Sequence, residues 1–438
     1  MGIVSIIGPK GGIGKTTLSI NTAAALTHAI EKQNPDKRVC LFDLDLRLPT
    51  ITSILDSHPQ RTFYDLFETL ANKTYQVDYI RTLYRILTIF KRFLDGEIEK
   101  DNHQLERSLA LYKNLDTELF NFADFKFGNE IHELFLYRST IQNVSQLKNL
   151  VPLLDGINLT EFKEILKECE HNSRPVVQQY INYIEEYGLS ILGGEVPILG
   201  KRSHRKRINE PAFLLLFLDF LHEVFDKFQY VVLDTPAGGV NHLSSLMNSI
   251  DQALFVFDMS NIIAINGSID ALHSFIDYYE DFYQDFTQGK LTGLDKAYVN
   301  RLVASRGEEA VRETLENKRL GILLNRCQDT KGIDDCLNRL REYLDTLDKL
   351  ESYKNRINII GMVPHHKIIN ITNNHGALFY DKDRALSIRM DLIARSIISE
   401  GKNCPTLAHK NQHIISYLQS QGKPGLLKSL SRVASSLS

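Results

Sequence analysis

Short, predominantly apolar runs recur along the chain at Ile3–Ile7, Val39–Phe42, Leu189–Gly194, Tyr230–Leu233, Ala253–Phe257, Leu320–Leu324 and Ile357–Met362. Runs of this length without polar alternation are the pattern of strands buried on both faces, as in a parallel sheet. An Ala-rich helical pattern (Leu18, Ile20, Ala23, Ala24, Leu26) follows the first of them. From Thr62 the period changes. Val77, Ile80, Leu83, Tyr84, Leu87, Phe90 and Phe93 recur at three/four spacing and predict one long amphipathic helix over Tyr75–Leu94. Further helices are expected around Leu105–Leu115, Leu159–Cys169 and Pro175–Tyr187. Asn158 is the expected N-cap of the second of these; Pro175 suits the first turn of the third and Gly188 its stop. The pattern therefore predicts an α/β domain made of residues 1–61 and 189–400, interrupted by an all-helical insertion over 62–188. That insertion is long enough to hold a small core of its own. Helices are also expected over Pro211–Phe225 and, mostly polar, over Asp281–Lys318.

Composition narrows the picture. A chain of 438 residues has room for two or three structural units, and 43% hydrophobic with 24% charged residues is that of an ordinary soluble protein. A net charge of −3 excludes a global field that recruits nucleic acid or anionic lipid, so any such contact must be local. Cys40, Cys169, Cys327, Cys336 and Cys404 form no C-x-x-C pair, which argues for a reducing compartment and against a zinc or iron–sulfur site. The most apolar run, Ala212–Leu218, is far short of a membrane span. The chain opens on a buried-type strand, so no secretory leader is expected and the location expected is cytoplasmic. Two local patches stand apart. Lys201-Arg202-Ser203-His204-Arg205-Lys206-Arg207 either grips phosphate or is a solvated loop. Residues 401–438 form a basic tail without Asp or Glu, and Leu426, Leu427, Leu430, Val433 and Leu437 share one helical face near its end. Such a helix suits a bilayer interface, its own domain or a partner protein.

The candidate chemistry sits where strands end. Gly8-Pro9-Lys10-Gly11-Gly12-Ile13-Gly14-Lys15-Thr16-Thr17 lies between a strand pattern and a helix pattern, the context of a phosphate cradle. Its glycines let backbone N–H groups approach phosphates, Lys15 supplies a point charge, and the Thr16 hydroxyl can ligate Mg²⁺. Asp43-Leu44-Asp45 closes the next strand, and Asp234-Thr235-Pro236-Ala237-Gly238 closes a later one. Carboxylates there can hold a magnesium shell and orient an attacking water.

The loop form x-K-G-G-x-G-K-T-T, with Lys10 as a second lysine and Pro9 in place of the usual first glycine, resembles the deviant Walker A loop of the MinD/ParA ATPases. Asp43-Leu44-Asp45, Asp234-Thr235-Pro236-Ala237-Gly238, and Asn325 with Pro364 follow in that family's order. The resemblance implies a P-loop NTPase-type, mostly parallel sheet flanked by helices, carrying a large all-helical insertion. It implies ATP and Mg²⁺, with Gly11, Gly12, Ile13, Gly14, Lys15, Thr16 and Thr17 around the phosphates and Asn325 and Pro364 beside the base. It assigns Thr16, Asp43 and Asp234 to the magnesium side, Asp45 to the attacking water, and Lys10 to a partner's phosphates in an ATP-dependent sandwich homodimer. His365 and His366 are then loop residues near the base, not metal ligands. Missing paired cysteines separate the chain from the superfamily's iron–sulfur and tail-anchor branches, and a tail with only Tyr417 separates it from the related tyrosine kinases. The expected function is an ATPase switch that positions or regulates a cellular assembly through a protein partner. A DNA-binding partition or regulatory protein using residues 201–207 and the basic tail, a peripheral membrane protein using residues 425–438, and a phosphotransferase remain as alternatives.

Overall fold

In the computed structural model the described residues are 2–31, 38–44, 50–55, 61–100, 102–115, 126–172, 176–193, 220, 224, 227–236, 250–316, 318–374 and 377–421. They divide between two compact units, the first taking 2–66 and 176–421 and the second 67–172.

The first unit is built on an eight-stranded sheet. Its strands are β1 (Gly2–Ile7), β2 (Val39–Asp43), β3 (Asn182–Ile184), β4 (Leu189–Leu192), β5 (Tyr230–Asp234), β6 (Gln252–Asp258), β7 (Arg319–Cys327) and β8 (Ile357–Pro364), in the order β3-β4-β2-β5-β1-β6-β7-β8. Every pairing is parallel except β3 with β4. All residues of β1, β2, β4, β5 and β6 are buried, which is why these strands lack polar alternation. The helix α1 (Lys15–Glu31) leaves β1 and packs on the sheet through Leu18, Ile20, Ala23 and Leu26. Consecutive strands leave β1 to opposite sides: β2 and β5 lie one way, β6 and β7 the other. The carboxyl end of β1 is thus at a topological switch point, where open α/β sheets bind ligands.

All seven expected strands are present. The expected helix over 175–187 is not: Val177–Gln179 and Glu185–Tyr187 are single 3₁₀ turns flanking β3, an antiparallel edge strand. Three residues are too few to display a period of two. Gly188, expected as a helix stop, closes the second turn at φ 59°. Residues 401–421 are not a separate tail either. Cys404 joins the main core, Ile359 N–H donates to the Pro405 carbonyl at 2.8 Å, Leu407 N–H donates to the Ile357 carbonyl at 3.0 Å, and the helix Asn411–Ser420 follows. This strap covers the edge of β8, which otherwise offers unpaired backbone groups. The mostly polar helical stretch expected over 281–318 consists of the end of Ile262–Thr287 followed by Gly293–Arg306 and Glu308–Glu316.

The second unit is helical in its described residues. The helix expected from Tyr75 begins at Phe63 and runs to Leu94, and His103–Asn114, Gly128–Leu136 and Leu159–Asn172 follow. Their apolar stripes meet in one core of Leu83, Leu87, Phe90, Tyr112, Leu134 and Phe162 with their neighbours. Asn158 caps the last of these helices as expected, its side-chain oxygen accepting from the N–H groups of Thr160 and Glu161 at 3.0 and 3.2 Å. The basic run 201–207, nearly all of the helix expected over 211–225, and residues 425–438 lie outside the described residues.

Candidate functional site

The loop Gly8–Gly14 joins β1 to α1. Gly12 and Gly14 stand at φ 78° and 92°, in the left-handed region that favours glycine. A Cβ at Gly14 would also sit 2.5 Å from Asn325 Nδ2. The Lys15 side chain is buried, and its ammonium donates to the Lys10 carbonyl at 3.0 Å, so the loop curls around the charge. Lys10 itself is exposed. The N-terminus of α1 adds its unsatisfied N–H groups and partial positive charge to the same spot.

Asp43 and Asp234 occupy neighbouring register positions at the ends of β2 and β5, and both are fully or almost fully buried. Thr16 Oγ1 donates to Asp234 Oδ2 at 2.7 Å, and Ser19 Oγ donates to Oδ1 at 2.8 Å. Ile51 N–H donates to Asp43 Oδ2 at 3.2 Å. Thr16 keeps its oxygen lone pairs for a cation while its proton is held by Asp234. Two adjacent carboxylates in a dry site repel one another, and a divalent cation relieves that repulsion. The donor set is all oxygen, which fits a hard ion such as Mg²⁺. Among the described residues no group of three or more His, Cys, Asp or Glu side chains could hold a metal alone, so hydroxyl and ligand oxygens must complete such a site.

On the other side of the loop, the ends of β7 and β8 border a cavity of about 250 Å³. Gly14, Thr17, Asn325, Pro364, His366 and Asn373 are among its lining residues, with Val363, Ile369 and Phe379 supplying apolar surface. Asn373 Nδ2 donates to Thr17 Oγ1 at 2.9 Å, tying the helix Lys367–Asn374 to the first turn of α1. Cys327 ends β7, and burial pushes its thiol up to about 12, so it stays protonated and is no nucleophile here.

The structure brings together most of the residues singled out from sequence: the glycine loop, Lys15, Thr16, Thr17, Asp43, Asp234, Asn325 and Pro364. His365 and His366 both line the cavity. Asp45 lies outside the described residues. Ser19, Asp258, Arg326 and Asn373 received no role in the sequence reading. Ser19 carried a signal, one helical turn after Lys15 on α1. Asp258 carried another, a carboxylate ending the apolar run of β6, which is the rule already applied to Asp43 and Asp234. Asn373 carried none.

The family described as the CobQ/CobB/MinD/ParA nucleotide binding domain matches residues 4–378. The chain belongs to that family. Among curated proteins, the antiactivator FleN of Pseudomonas aeruginosa is 38% identical over 66 residues, 15% of this chain and 21% of that relative's length. Among solved structures, the MinC:MinD cell division protein complex of Aquifex aeolicus is 14% identical, covering 91% of this chain and 96% of that chain at a TM-score of 0.41. The septum site-determining protein MinD of Pyrococcus horikoshii, complexed with Mg-ADP, is 13% identical, covering 92% and 97% at a TM-score of 0.42. Among the described residues of this MinD/ParA family member, no helix is long and apolar enough to cross a membrane.

Proposed function

We propose that the protein is a Mg·ATP-dependent switch that dimerises with ATP, hydrolyses it slowly and thereby regulates a protein partner. The observation that carries this reading is the convergence of the Thr16 and Ser19 hydroxyls on the buried Asp234 carboxylate, beside Asp43 and a left-handed glycine loop closed around Lys15. Phosphoryl transfer to water needs little covalent help from a protein; it needs positioning and charge neutralisation. In this proposal the N–H groups of Gly11 to Thr17 and the Lys15 ammonium hold the β- and γ-phosphates. Thr16, Asp43 and Asp234 would hold a magnesium shell, and a bound ion would supply neutralisation of the charge developing on the phosphate oxygens. The base enters the cavity beside Asn325, Pro364 and Asn373.

Lys10 and Asp45 complete the reaction. Lys10 is exposed at the crest of the loop while Lys15 is buried within it, an arrangement suited to a residue acting outside its own subunit. Asp45 orients the attacking water by its likeness to the family's carboxylate. One subunit alone is then incomplete, and hydrolysis requires two. The helical unit and the dimer surface are the places for a protein partner, a role that accords with the antiactivator name of the FleN relative. The deciding experiment measures phosphate release and mass in solution with ATP for the wild type, Lys10→Ala and Asp45→Ala. Lys10→Ala is expected to bind nucleotide without turnover, and Asp45→Ala to accumulate as an ATP-bound dimer. Full turnover by the first, or a monomer with unchanged hydrolysis for the second, would remove the switch. Retention of the ATP form on DNA or on vesicles would move the proposal to those surfaces instead.

A further inference from the structure

Two neighbouring residues of β7 hold the glycine loop from outside. Asn325 Nδ2 donates to the Ile13 carbonyl at 2.7 Å, and Arg326 Nη2 donates to the Gly12 carbonyl at 2.6 Å. The second arm of the same guanidinium, Nη1, lies 3.1 Å from Asp258 Oδ2. Asp258 is buried at the end of β6, and its other oxygen accepts from Ser260 N–H at 3.0 Å.

Successive side chains of a regular strand point to opposite faces, so Asn325 and Arg326 could not both reach one loop. The register of β7 against β8 breaks between Asn325 and Cys327, and Arg326 there has φ 56°. The left-handed conformation is costly for a side-chain-bearing residue, and bulges that re-aim a side chain gather at functional sites. This one turns Arg326 onto the same loop as Asn325.

A peptide unit is planar and trans, so pinning its carbonyl aims its N–H the opposite way. Holding the Gly12 carbonyl sets the direction of the Ile13 N–H, and holding the Ile13 carbonyl sets that of Gly14. Successive N–H groups of this kind form the nest that receives phosphate oxygens.

We propose that the Asn325–Arg326 bulge is a positioning clamp for the phosphate cradle, with Arg326 as its charged arm and Asp258 as its anchor. The proposal rests on the reading of this loop as a nucleotide site. The clamp presets the donors before the ligand arrives, so its main contribution falls on the phosphates; Arg326 and Asn325 also line the cavity assigned to the base, which takes the smaller share. Arg326 is a positioning residue in this account, because it grips the backbone that in turn grips the phosphates.

The test is a titration of the full chain with ADP and with adenosine, for the wild type, Arg326→Ala, Arg326→Lys, Asp258→Asn and the Arg326→Ala/Asp258→Asn double variant. Arg326→Ala is expected to weaken ADP binding about tenfold or more, the scale of a charge-assisted hydrogen bond, while adenosine, which meets Arg326 only as part of the cavity lining, loses clearly less. Lysine keeps the charge without the fork and cannot span both Gly12 and Asp258, so it restores only part of the loss. Asp258→Asn should weaken ADP binding in the wild type and add nothing in the Arg326→Ala background. Unchanged ADP affinity in Arg326→Ala, parallel loss of adenosine and ADP in Arg326→Lys, or additive effects of the two sites would each overturn the clamp. A wild type that binds ADP beside an unaltered Arg326→Ala removes the clamp alone. A wild type that binds no nucleotide removes the proposed function and the clamp with it.

Discussion

The two units bury the same kinds of side chain and use them differently. In the sheet unit, strands covered on both faces carry few polar groups along their length, the small hydroxyls of Ser5 and Ser190 among them. Polarity is displaced to the strand ends, where Asp43, Asp234, Asp258 and Asn325 are buried and held by hydrogen bonds. In the helical unit, each helix buries one stripe and shows the rest to water. His103–Asn114 buries Leu105, Ser108, Leu109 and Tyr112 and turns its charged residues outward. Charge there is spread over a surface instead of gathered in a dry pocket. A parallel sheet concentrates chemistry; an amphipathic bundle dilutes it.

The largest effect that could break this contrast comes from Asp234→Ala. It removes the acceptor of both Thr16 and Ser19 and, in the proposed reaction, a group of the magnesium shell. Phosphate release should fall by roughly a thousandfold, as when a preorganised transition-state contact is deleted. Hydrogen exchange across residues 83–166 should not change. Turnover within a few fold of wild type would mean that the buried strand end is structural only.

The matching change in the other unit is Phe162→Ala. This ring is fully buried, stacked on Tyr84 and Phe127 at centroid distances of 5.9 and 6.0 Å. Its removal should cost the helical core about 3–5 kcal/mol, read from urea unfolding or exchange protection. ATP turnover per folded molecule is expected to stay within twofold of wild type. A collapse of turnover in molecules that remain folded would show that the helical core reaches the chemistry.

A smaller effect comes from Tyr112→Phe. The Tyr112 hydroxyl donates to the Leu134 carbonyl in the same core, and burial holds its phenol well above the usual range. Losing that donor leaves a buried carbonyl unpaired at a cost of about 1–3 kcal/mol, with no change in nucleotide affinity.

The smallest effect at neutral pH concerns the thiols of the sheet unit. Burial pushes both Cys327 and Cys336 up to about 12. The folded state therefore keeps protons that the unfolded state gives up from about pH 9 upward, where a free thiol titrates. Their contribution is fully present below that pH and is lost as pH rises toward 12. Alkylation at pH 8 should leave both unmodified until the protein unfolds; rapid labelling in the native state would show that this side of the sheet opens readily.

Much of this arrangement was legible in the chain because the signals are local. A strand buried on both faces writes itself as an apolar run, and a carboxylate that ends such a run is visible two or three letters later. Asp43 and Asp234 were found that way, and Asp258 could have been. Asn158 was found as a cap because the preference acts over three residues. β3 is not legible as a strand because three residues carry no period. The strap over 401–421 has the sequence of a tail because its burial comes from β8, outside the segment itself. Arg326 was visible only as a letter, since neither its left-handed backbone nor the bulge follows from the residues beside it.

The sequence by itself determined the alternation of elements, the glycine loop, and which carboxylates stand at strand ends, because these depend on short-range sterics and on periodic burial. Only the tertiary structure decided what those ends meet. Thr16 reaches a carboxylate 218 residues away, and Arg326 reaches a carbonyl 314 residues away. Such pairings depend on strand order and register, which are settled by the packing of the whole sheet and leave no mark on any one stretch of the chain.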